Sequence, residues 1–349
     1  MRAACVPPTL TPTAVRQRGA ALLAAMLTVT LVATFAAAAL WQQFRGIEVE
    51  SAERGRVQAS WILTGSLDWA RLILREDGRN AQADHLAEPW AVPLNEARLS
   101  SFLAVDASSS ASESNGELEA FLSGQITDLQ SRMNVTNLMD GSAVSEAWLL
   151  AFGRLFESLG LQESQLTGMV TQLLDASRSA NPVAVPSTVA GVPTPPAPPP
   201  SPTAPLMPQR VDQLVWLGLD PASLVLLRPY ITLLPARTAI NLNTASAEVI
   251  HAATPGMEMA DAQKLVAARA SSHFRTVADA IRLISSPEVQ LGMAQHAVAS
   301  RYFEVQGRLR IDQTVVEERS VLQRDGLSVR TLWRDRGVVV EAAARAARP

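Results

Sequence analysis

The sequence of 349 residues predicts an α+β fold, in which a long amino-terminal helix packs on a small antiparallel sheet with a large all-α subdomain inserted in the sheet domain. Apolar residues recur at helical spacing from Ala20 to Asp77, and no proline interrupts the chain between Ala14 and Glu88. Residues 302–333 alternate in the manner of strands. Strand-like runs therefore stand on both sides of a long helical region, which indicates an insertion.

The first element is an uncharged apolar run from Gly19 to Leu40. About 22 residues at a rise of about 1.5 Å make roughly 33 Å of helix, enough to cross the apolar core of a bilayer. Arg16 and Arg18 precede the run without any acid, whereas acids and bases are mixed after it, so the positive-inside rule places the amino terminus in the cytoplasm. A cleaved secretory signal is the alternative, but the apolar region is longer than usual and no small-x-small cleavage site leads into a loop.

The cysteine content and the charge limit the function classes. The single cysteine, Cys5, falls on the cytoplasmic side of the span, so the exported part contains no thiol for a disulfide or a cysteine zinc site. A balance of 30 basic and 33 acidic residues gives no broad cationic field for nucleic acid. A membrane-anchored protein of the bacterial periplasm is compatible with both observations.

Past the span the helical pattern continues, and we interpret residues 20–77 as one helix, half in lipid and half amphipathic. The pair Asp77-Gly78 is a suitable end for it. The alternative is a membrane anchor followed by a separate soluble helix, with a break near Gly46 or Gly55.

A basic segment that ends in Gly19, an apolar helix that starts at Ala20 and an amphipathic continuation together resemble the type IV pilin and pseudopilin class. Within that class, residues 16–40 and 61–71 resemble the K-type minor pseudopilins of type II secretion systems, also called general secretion pathway protein K. The resemblance implies that a prepilin peptidase cuts after Gly19. It also implies that the new amino terminus, Ala20, is N-methylated.

Ala24 stands fifth after this expected cut, where major pilins carry a glutamate. In a major pilin that carboxylate neutralises the amino group of a neighbouring subunit inside an apolar fibre, where an unpaired charge is strongly unfavourable. K-type members also lack the glutamate, which fits a subunit with nothing above it in the filament. The alanine therefore favours the K type over a major pilin.

The resemblance implies a minor pseudopilin that forms or caps the tip of the periplasmic pseudopilus and helps to initiate its assembly for protein export across the outer membrane. It implies I- and J-type minor pseudopilins and the prepilin peptidase as partners, with the secretin and exported proteins as further candidates. It also implies a single-pass protein of the bacterial inner membrane with the bulk of its chain in the periplasm.

The chain divides into segments of different character. We expect a leader at 1–19, the transmembrane half of the helix at 20–41, the pilin-like helix and first strands at 42–140, the helical subdomain at 141–298 with a Pro-rich linker at 182–208, the final strands at 299–335 and a tail at 336–349.

Among the first strands, the runs 124–129 and 132–138 predict a hairpin. They resemble the place where K-type proteins carry a motif with two asparagines, of which Asn134 and Asn137 are the counterparts. We interpret both asparagines as turn and edge residues. Upstream of them, the proline-containing stretch 88–94 predicts an edge strand or a loop.

The helical subdomain is predicted from apolar stripes at 148–159 and 166–174, followed by a group of short helices at 211–283. Asp220 before Pro221 is an N-cap with proline at the first helical position. The box Asn-Leu-Asn-Thr-Ala at 241–245 opens a further helix, which Thr244 or Ser246 can cap. The resemblance identifies this part as the SAM-like, helix-hairpin-helix-like subdomain of K-type proteins.

Residues 240–270 also resemble helix-hairpin-helix modules such as the DNA-binding domain of competence proteins, which is the rival functional interpretation. A phosphate-binding hairpin needs a glycine-rich turn with cations beside it. Here the turn 255–261 contains one glycine and two acids, Glu258 and Asp261, which repel phosphate. The nearby cations are Lys264, Arg269 and Arg275. These are too few for the phosphate contacts that drive affinity, and we expect no nucleic-acid binding.

Catalytic motifs are missing from the sequence, which contains no His-Glu-x-x-His, Gly-x-Ser-x-Gly or phosphate-loop pattern. The scattered histidines are His85, His251, His273 and His296. We expect no enzyme, and a hydrolase with noncontiguous residues is the remaining enzymatic alternative. Calcium is implied only by the family resemblance, because no run has the alternating Asp/Asn/Gly character of a loop site. Asp128, Asp140 and Asp212 are candidates by residue type alone, and we assign none of them.

Overall fold

The computed structural model describes residues 20–80, 83–99, 120–141, 143–180, 204–284, 286, 289, 291–311 and 314–340. The chain divides into two compact units, Met1–Ser60 and Trp61–Pro349. In its described part the first unit is helical. The second unit contains the sheet and the helical subdomain, and the α+β class predicted from the sequence is confirmed.

The elements follow one another along the chain in the order that the sequence suggests. The helices are α1 (Ala20–Asn80), α2 (Glu146–Ser158), α3 (Glu163–Ala180), α4 (Pro221–Leu227), α5 (Ala247–Ala253), α6 (Met259–Ser271) and α7 (Val277–Ile281). The strands are β1 (Leu94–Arg98), β2 (Ala120–Asp128), β3 (Met133–Asn134), β4 (Met139–Asp140), β5 (Ala143–Val144), β6 (Ile231–Thr232), β7 (Ile240–Asn241), β8 (His296–Ala297), β9 (Tyr302–Ile311), β10 (Thr314–Asp325) and β11 (Ser328–Val340). Short 3₁₀ turns lie at Pro89–Ala91, Leu129–Ser131, Val135–Leu138 and Val211–Leu217.

Helix α1 has no break at Gly46 or Gly55, which confirms the prediction of one continuous helix and excludes a separate soluble one. It ends at Asn80, slightly beyond the predicted end at Asp77. In the second unit its buried face is formed by Leu63, Leu67, Ala70 and Leu74, which recur at helical spacing. Burial of each such leucine stabilises the fold by about 1.5–3 kcal/mol.

A five-stranded sheet is the partner of this buried face. Its order is β1-β2-β9-β10-β11, and every neighbouring pair is antiparallel. The three final strands form the predicted meander, and Gly326 turns between β10 and β11 with φ at 58°. Leu67, Ala70 and Leu74 of α1 pack in one cluster with Phe303 and Leu322 of the sheet.

The final strand extends further than predicted, because β11 continues to Val340 where we expected a tail from 336. Residues up to Val340 keep register with β10. Arg334 and Arg336 donate hydrogen bonds to the buried carboxylate of Glu318 on the neighbouring strand. These cross-strand ion pairs hold the segment in the sheet.

The helical subdomain is an insertion, as predicted, because the chain leaves the sheet at the end of β2 and returns at β9, the next strand in the sheet. Its helices share one apolar core, in which Phe152, Leu173 and Ile250 are buried. Asp220 caps α4 and Ser246 caps α5, both as expected from the sequence. The predicted Pro-rich linker lies outside the described residues as far as 203.

The hairpin predicted at 124–138 is wrong in its second half. The run 124–129 belongs largely to β2, but β3 pairs in parallel with β6 of the helical subdomain. Met133, Val135 and Leu138 are buried in the core of the helices. The subdomain therefore begins before the expected boundary at 141, because these apolar residues face helices rather than the sheet.

Candidate functional site: membrane anchor and polar junction

The amino-terminal part of α1 is the first functional feature. Among the described residues, α1 is a helix long and apolar enough to cross a membrane, with a mean hydropathy of 2.2 in its most apolar window, none of which is buried. Ala20 is the first residue of the helix, and Ala24 lies in its exposed first turns. The predicted cleavage residue, Gly19, lies outside the described residues.

A second feature is a buried polar junction where the helical subdomain meets the sheet, centred on Asp128 at the end of β2. Thr244 and Ser300 each donate a hydrogen bond to Asp128 Oδ2 over 2.6 Å. Asn241 Nδ2 lies 3.1 Å from the same oxygen. The backbone N–H of Gln130 donates to Asp128 Oδ1 over 2.7 Å.

The electrostatics of Asp128 follow from its burial. Desolvation raises the pKa of this carboxyl from 3.8 to about 6, and the hydrogen bonds from Ser300 and Thr244 oppose the rise. Asn241 also donates towards the backbone oxygen of Asp84 and towards Ser300 Oγ. The Asn-Leu-Asn-Thr-Ala box thus has a structural role that we did not predict. Its Asn241 and Thr244 side chains bond the helical subdomain to Asp128 at the end of β2.

The second asparagine of the box closes a local clamp. Asn243 Nδ2 donates to the backbone oxygen of Phe274, and the backbone N–H of Phe274 donates to Asn243 Oδ1. Asn243 is 1% exposed, so these bonds satisfy an amide that water does not reach. The clamp holds the segment after α6 against the box.

Asn134 and Asn137 form a similar pair of clamps. Asn134 Oδ1 accepts a hydrogen bond from the Thr136 N–H and caps the 3₁₀ turn Val135–Leu138, so turn chemistry is confirmed for this asparagine but accounts for only part of the bonds that the two amides make. They are 1% and 0% exposed. Asn134 binds the segment 234–238 through donors and acceptors on both sides of its amide. Asn137 exchanges two hydrogen bonds with the backbone of Thr238. Only the fold brings a partner segment about 100 residues away to these amides, and no local pattern announces it.

Three carboxylates that we did not predict as a site lie close together at the carboxyl end of α1 and in the segment that follows it. Asp77, Asp84 and Glu88 each place an oxygen within 4.8 Å of the others. Arg324 of β10 donates hydrogen bonds to both Asp77 and Asp84. Glu88 Oε2 accepts from the indole N–H of Trp90 over 2.7 Å. The arginine that binds two of these acids lies 240 or more residues further along the chain, so no local pattern indicates the cluster.

Burial is the main reason why these acids are perturbed. It raises the pKa of Asp77 from 3.8 to about 6, with a further contribution from the charge of Glu88, while Arg324 opposes the rise. Burial also raises the pKa of Glu88. Arg324 thus pairs with two of the three carboxylates, Asp77 and Asp84, whereas Glu88 lies 3.9 Å from His85 Nε2.

Calcium does not fit this cluster in its observed arrangement. The guanidinium of Arg324 already bridges two of the three carboxylates, and a divalent cation there would meet its positive charge. Asp140 and Asp212, which were calcium candidates by residue type, each pair with a different arginine. Asp140 pairs with Arg237, and Asp212 pairs with Arg228.

The four histidines lie in three different structural environments. The rings of His85 and His273 stack with centroids 3.8 Å apart. His251 Nδ1 lies 2.7 Å from the backbone oxygen of Met257. His296 is buried, and burial lowers its pKa from 6.5 to about 4. His296 Nε2 lies 2.8 Å from Thr254 Oγ1, a buried hydroxyl that is also 2.8 Å from the backbone oxygen of Ile250.

The helix-hairpin-helix segment consists of α5 and α6, and Arg269 of α6 points into the fold. Arg269 donates to the backbone oxygens of Leu242 and Ala245 over 2.6 and 2.5 Å. Burial lowers its pKa to about 10. Arg269 is therefore engaged in holding the box and is not directed towards a phosphate backbone.

Two family models match the chain in the region of these clamps. Each is described as type II secretion system (T2SS), protein K, and they cover residues 131–236 and 240–300. Over these residues the chain is similar to the type II secretion system protein K family. The matched residues include the asparagine clamps and the Asn-Leu-Asn-Thr-Ala box, so the resemblance drawn from the sequence is confirmed.

Relatives of the family extend the similarity to nearly the whole chain. Type II secretion system protein K of Pseudomonas aeruginosa is 28% identical over 334 residues, covering 92% of this chain and 93% of the relative. The protein K of Klebsiella pneumoniae is 26% identical over 347 residues, covering 93% and 97%. Members of this family are components of a secretion system.

A solved structure shares the fold. It is a chain of the GspK–GspI–GspJ complex from the enterotoxigenic Escherichia coli type 2 secretion system, with a TM-score of 0.52 and 16% sequence identity. The match covers 82% of this chain and 98% of the other. The match shows that the two chains share a fold.

Proposed function

We propose that this K-family protein is a minor pseudopilin that forms or caps the tip of the periplasmic pseudopilus and helps to initiate its assembly. The observation that carries the proposal is the helical insertion between β2 and β9, on a chain whose α1 begins with an apolar anchor. A bulky subdomain on a pilin-like sheet is difficult to accommodate along a helical shaft of repeated subunits. At a tip it has room.

The features of α1 support the same role. Ala24 takes the place of the carboxylate with which a shaft subunit neutralises its neighbour's amino group. The apolar half holds the subunit in the inner membrane until extraction, with the amino terminus in the cytoplasm and the bulk of the chain in the periplasm. The protein then acts by assembly, and we assign no catalytic residue.

The partners proposed for this role are I- and J-type minor pseudopilins. The similar chain of known structure was solved in a complex that carries the names of K, I and J subunits. The secretin and exported proteins are further candidates. Prepilin peptidase acts earlier, by cutting after Gly19 and leaving a methylated Ala20.

Processing provides the test. The full chain is expressed with and without its prepilin peptidase, and the mature amino terminus is measured by mass spectrometry. We expect N-methylated Ala20 only when the peptidase is present, and an uncut chain from a Gly19→Val control. A chain that stays uncut with the peptidase, or that is cut elsewhere, would contradict the pseudopilin assignment.

The alternative function, DNA binding of the competence type, is tested by a different experiment. It requires salt-sensitive binding of the protein to duplex DNA through α5 and α6. With Arg269 turned inward and Glu258 and Asp261 at the turn, we expect no binding even at low salt. Binding that weakens steeply with salt would reinstate that alternative.

A further inference from the structure

A cleft opens on the face of the sheet that is turned away from α1. Along β10, Leu322 packs with α1, whereas its neighbour Val321 lines the cleft. The helical subdomain forms the opposite wall with the segments 209–212 and 231–233. The volume of about 550 Å³ lies within the range of about 300–1,000 Å³ that is typical of small-molecule sites. We call this the sheet cleft, and the proposed role in assembly makes no use of it.

The register of the strands places polar side chains in rows across the sheet wall of the cleft. Arg308 of β9 lies opposite Glu317 of β10. Two positions back along β9, Gln306 lies opposite Gln125 of β2 on one side and Arg319 of β10 on the other. Side chains that lie opposite each other stand on the same face of a sheet, and all five residues line the cleft. A matching ligand therefore needs hydrogen-bond donors and acceptors close together.

The charged groups of the sheet wall are only loosely paired with one another. Arg308 Nε lies 3.7 Å from Glu317 Oε1, and Arg319 Nε lies 3.8 Å from Glu304 Oε2; both distances are too long for a hydrogen bond. The side chains of Arg308, Glu317 and Arg319 are about half exposed. Exposed ion pairs of this kind contribute little to stability. A ligand can therefore form hydrogen bonds with these groups without the loss of a strong internal bond.

The sheet cleft has one cation without an anion. Six arginines and five carboxylates line it, and each carboxylate forms an ion pair with a different one of five arginines. The sixth arginine, Arg132, follows the 3₁₀ turn Leu129–Ser131 on the subdomain side. Arg132 is half-buried, and among the described residues its side chain has no ion pair or hydrogen bond. The cleft therefore carries an excess of one positive charge, and Arg132 is the place where a single anionic group is favoured.

Apolar side chains adjoin the polar rows. Trp333 of β11 lies opposite Val321 of β10, and Leu233 lines the cleft from the subdomain side. The guanidinium of Arg210 lies 5.1 Å from the centre of the Trp333 ring and pairs with Asp335 over 2.8 Å. This contact joins the two walls of the cleft beside the tryptophan. An aromatic surface next to hydrogen-bonding groups suits a ring with C–H groups on its faces and hydroxyls at its edge.

We propose that the sheet cleft binds an acidic saccharide, with its carboxylate on Arg132 and its hydroxyls on the amides and charged groups of the sheet wall. Every sugar hydroxyl both donates and accepts hydrogen bonds, as the mixed groups of the wall require. A planar carboxylate accepts two parallel hydrogen bonds from one guanidinium. It brings one negative charge, which matches the excess in the cleft.

Two other ligand classes fit the sheet cleft less well. A phosphate monoester carries about 1.5–2 negative charges at neutral pH, which exceeds the single positive charge in excess. An extended peptide bonds through its backbone to the open edge of a sheet, whereas the cleft presents side chains on a sheet face. The hydroxyls of a saccharide need no backbone edge.

The test uses the full chain in detergent micelles and isothermal titration calorimetry. The probe is cellobiouronic acid, a disaccharide with one carboxylate, and its methyl ester is the neutral counterpart. We expect the unchanged chain to bind the acid about tenfold or more tightly than the ester. Arg132→Gln should bind both probes equally, because it lacks the cation that distinguishes them. Its unfolding temperature should stay unchanged, because the Arg132 side chain has no ion pair or hydrogen bond among the described residues.

Arg178→Gln is the matched control. Arg178 is an exposed arginine on α3, where it pairs with Asp175 outside the sheet cleft. The same chemical change there should leave the binding of both probes as it is in the unchanged chain. An equal loss of acid binding in this control would overturn the assignment of Arg132.

Gly337→Gln tests where the ligand lies. Gly337 lines the sheet cleft opposite Glu317, and a Cβ there meets no atom within 4 Å. The glutamine side chain therefore enters the cleft without a clash at its Cβ, and it should weaken the binding of both probes about tenfold. Undiminished binding in this variant would place the ligand elsewhere and overturn the site.

The remaining outcomes concern the ligand class. No binding of either probe by the unchanged chain would overturn the saccharide site. Tighter binding of a blocked peptide with a single glutamate than of the acid, lost in Arg132→Gln, would overturn the saccharide as the ligand. The proposed role in assembly is tested separately by processing after Gly19, and it stands whichever of these results is obtained.

Discussion

Single polar residues decide how the helical subdomain is attached to the sheet. Asp128 accepts hydrogen bonds from Thr244 and Ser300, and Asn241 reaches the same carboxylate. An amide or carboxylate buried without partners would destabilise the fold by about 1–3 kcal/mol. Each of these side chains therefore stabilises the fold only when the opposite element is in place, and the junction assembles as a unit.

Asp128 gives a prediction about pH. The pKa of its carboxyl is about 6 in the folded chain, compared with 3.8 for an ordinary aspartate, so folding favours the protonated form. The contribution of this carboxyl to the free energy of unfolding is greatest below pH 3.8 and is lost as pH rises through about 6, a difference of roughly 3 kcal/mol. In Asp128→Asn this pH-dependent part should disappear, as measured by denaturant unfolding between pH 4 and 7. An unchanged profile would contradict the buried, protonatable state.

His296 acts in the opposite direction. Its folded pKa of about 4 lies below the ordinary 6.5, so the folded chain favours the neutral ring. The stabilisation is fully present above pH 6.5 and is lost as pH falls through about 4, again by roughly 3 kcal/mol. His296→Gln should remove this acid-dependent loss in thermal unfolding at pH 4 to 7. NMR titration of the ring provides the direct check, and a pKa near 6.5 would rule out the effect.

At the scale of elements, close approach of backbones sets where helix and strands can lie. A Cβ at Gly307 of β9 would come within 3.2 Å of the side chain of Leu63, so α1 rests directly on this strand. A Cβ at Gly124 of β2 would lie 2.8 Å from the backbone oxygen of Gln306. The two glycines lie opposite each other in the register of β2 and β9. At this pair of positions in β2 and β9, glycine is therefore required, because a side chain would collide with the adjacent backbone or with α1.

Gly124→Ala is therefore expected to destabilise the fold. Its methyl group would meet a backbone oxygen that cannot turn away, and overpacking of this kind costs about 1–3 kcal/mol. Gly337→Ala on β11 is the matched control, because a Cβ there meets no atom within 4 Å. The free energies of unfolding of the two variants are measured by denaturant titration. Equal values would contradict the prediction, because they would show that β2 and β9 can move apart to accept the methyl group.

On the scale of the whole molecule, Arg324 joins segments that are far apart in the sequence. It binds Asp77 at the end of α1 and Asp84 in the segment that follows. It also donates to the backbone oxygen of Ser300, close to the point where the chain re-enters the sheet. The helix, the sheet and the exit of the insertion consequently share one buried ion pair network.

Loss of this arginine should unfold the molecule more readily than any surface change. Arg324→Gln leaves two buried carboxylates without their cation, which costs about 3–5 kcal/mol at neutral pH. The loss should shrink at pH 5, where Asp77, with a pKa of about 6, takes up a proton. Arg319→Gln serves as control, since Arg319 is half-exposed and 3.8 Å from Glu304. Similar unfolding curves for both variants would refute a central role for Arg324.

The sequence alone predicted the continuous α1 helix, the capped helices α4 and α5, the strand meander and the insertion. These follow from periodicity, caps and turns, which act between residues a few positions apart. The resemblance at residues 16–40 and 61–71 indicated the family, and the family models and relatives support it. The apolar run that begins at Ala20 follows from composition alone, because a bilayer selects for length and hydropathy.

Only the tertiary structure decided which polar residues matter. Asn134 caps a turn, as a local pattern suggests, but the bonds that it and Asn137 make to the segment 234–238 exist only because the fold brings that segment against them. Asp77 and Asp84 resemble other surface acids until Arg324, more than 200 residues later, reaches them. A buried hydrogen bond depends on the distance between its two groups in space, and the fold of the entire chain sets that distance.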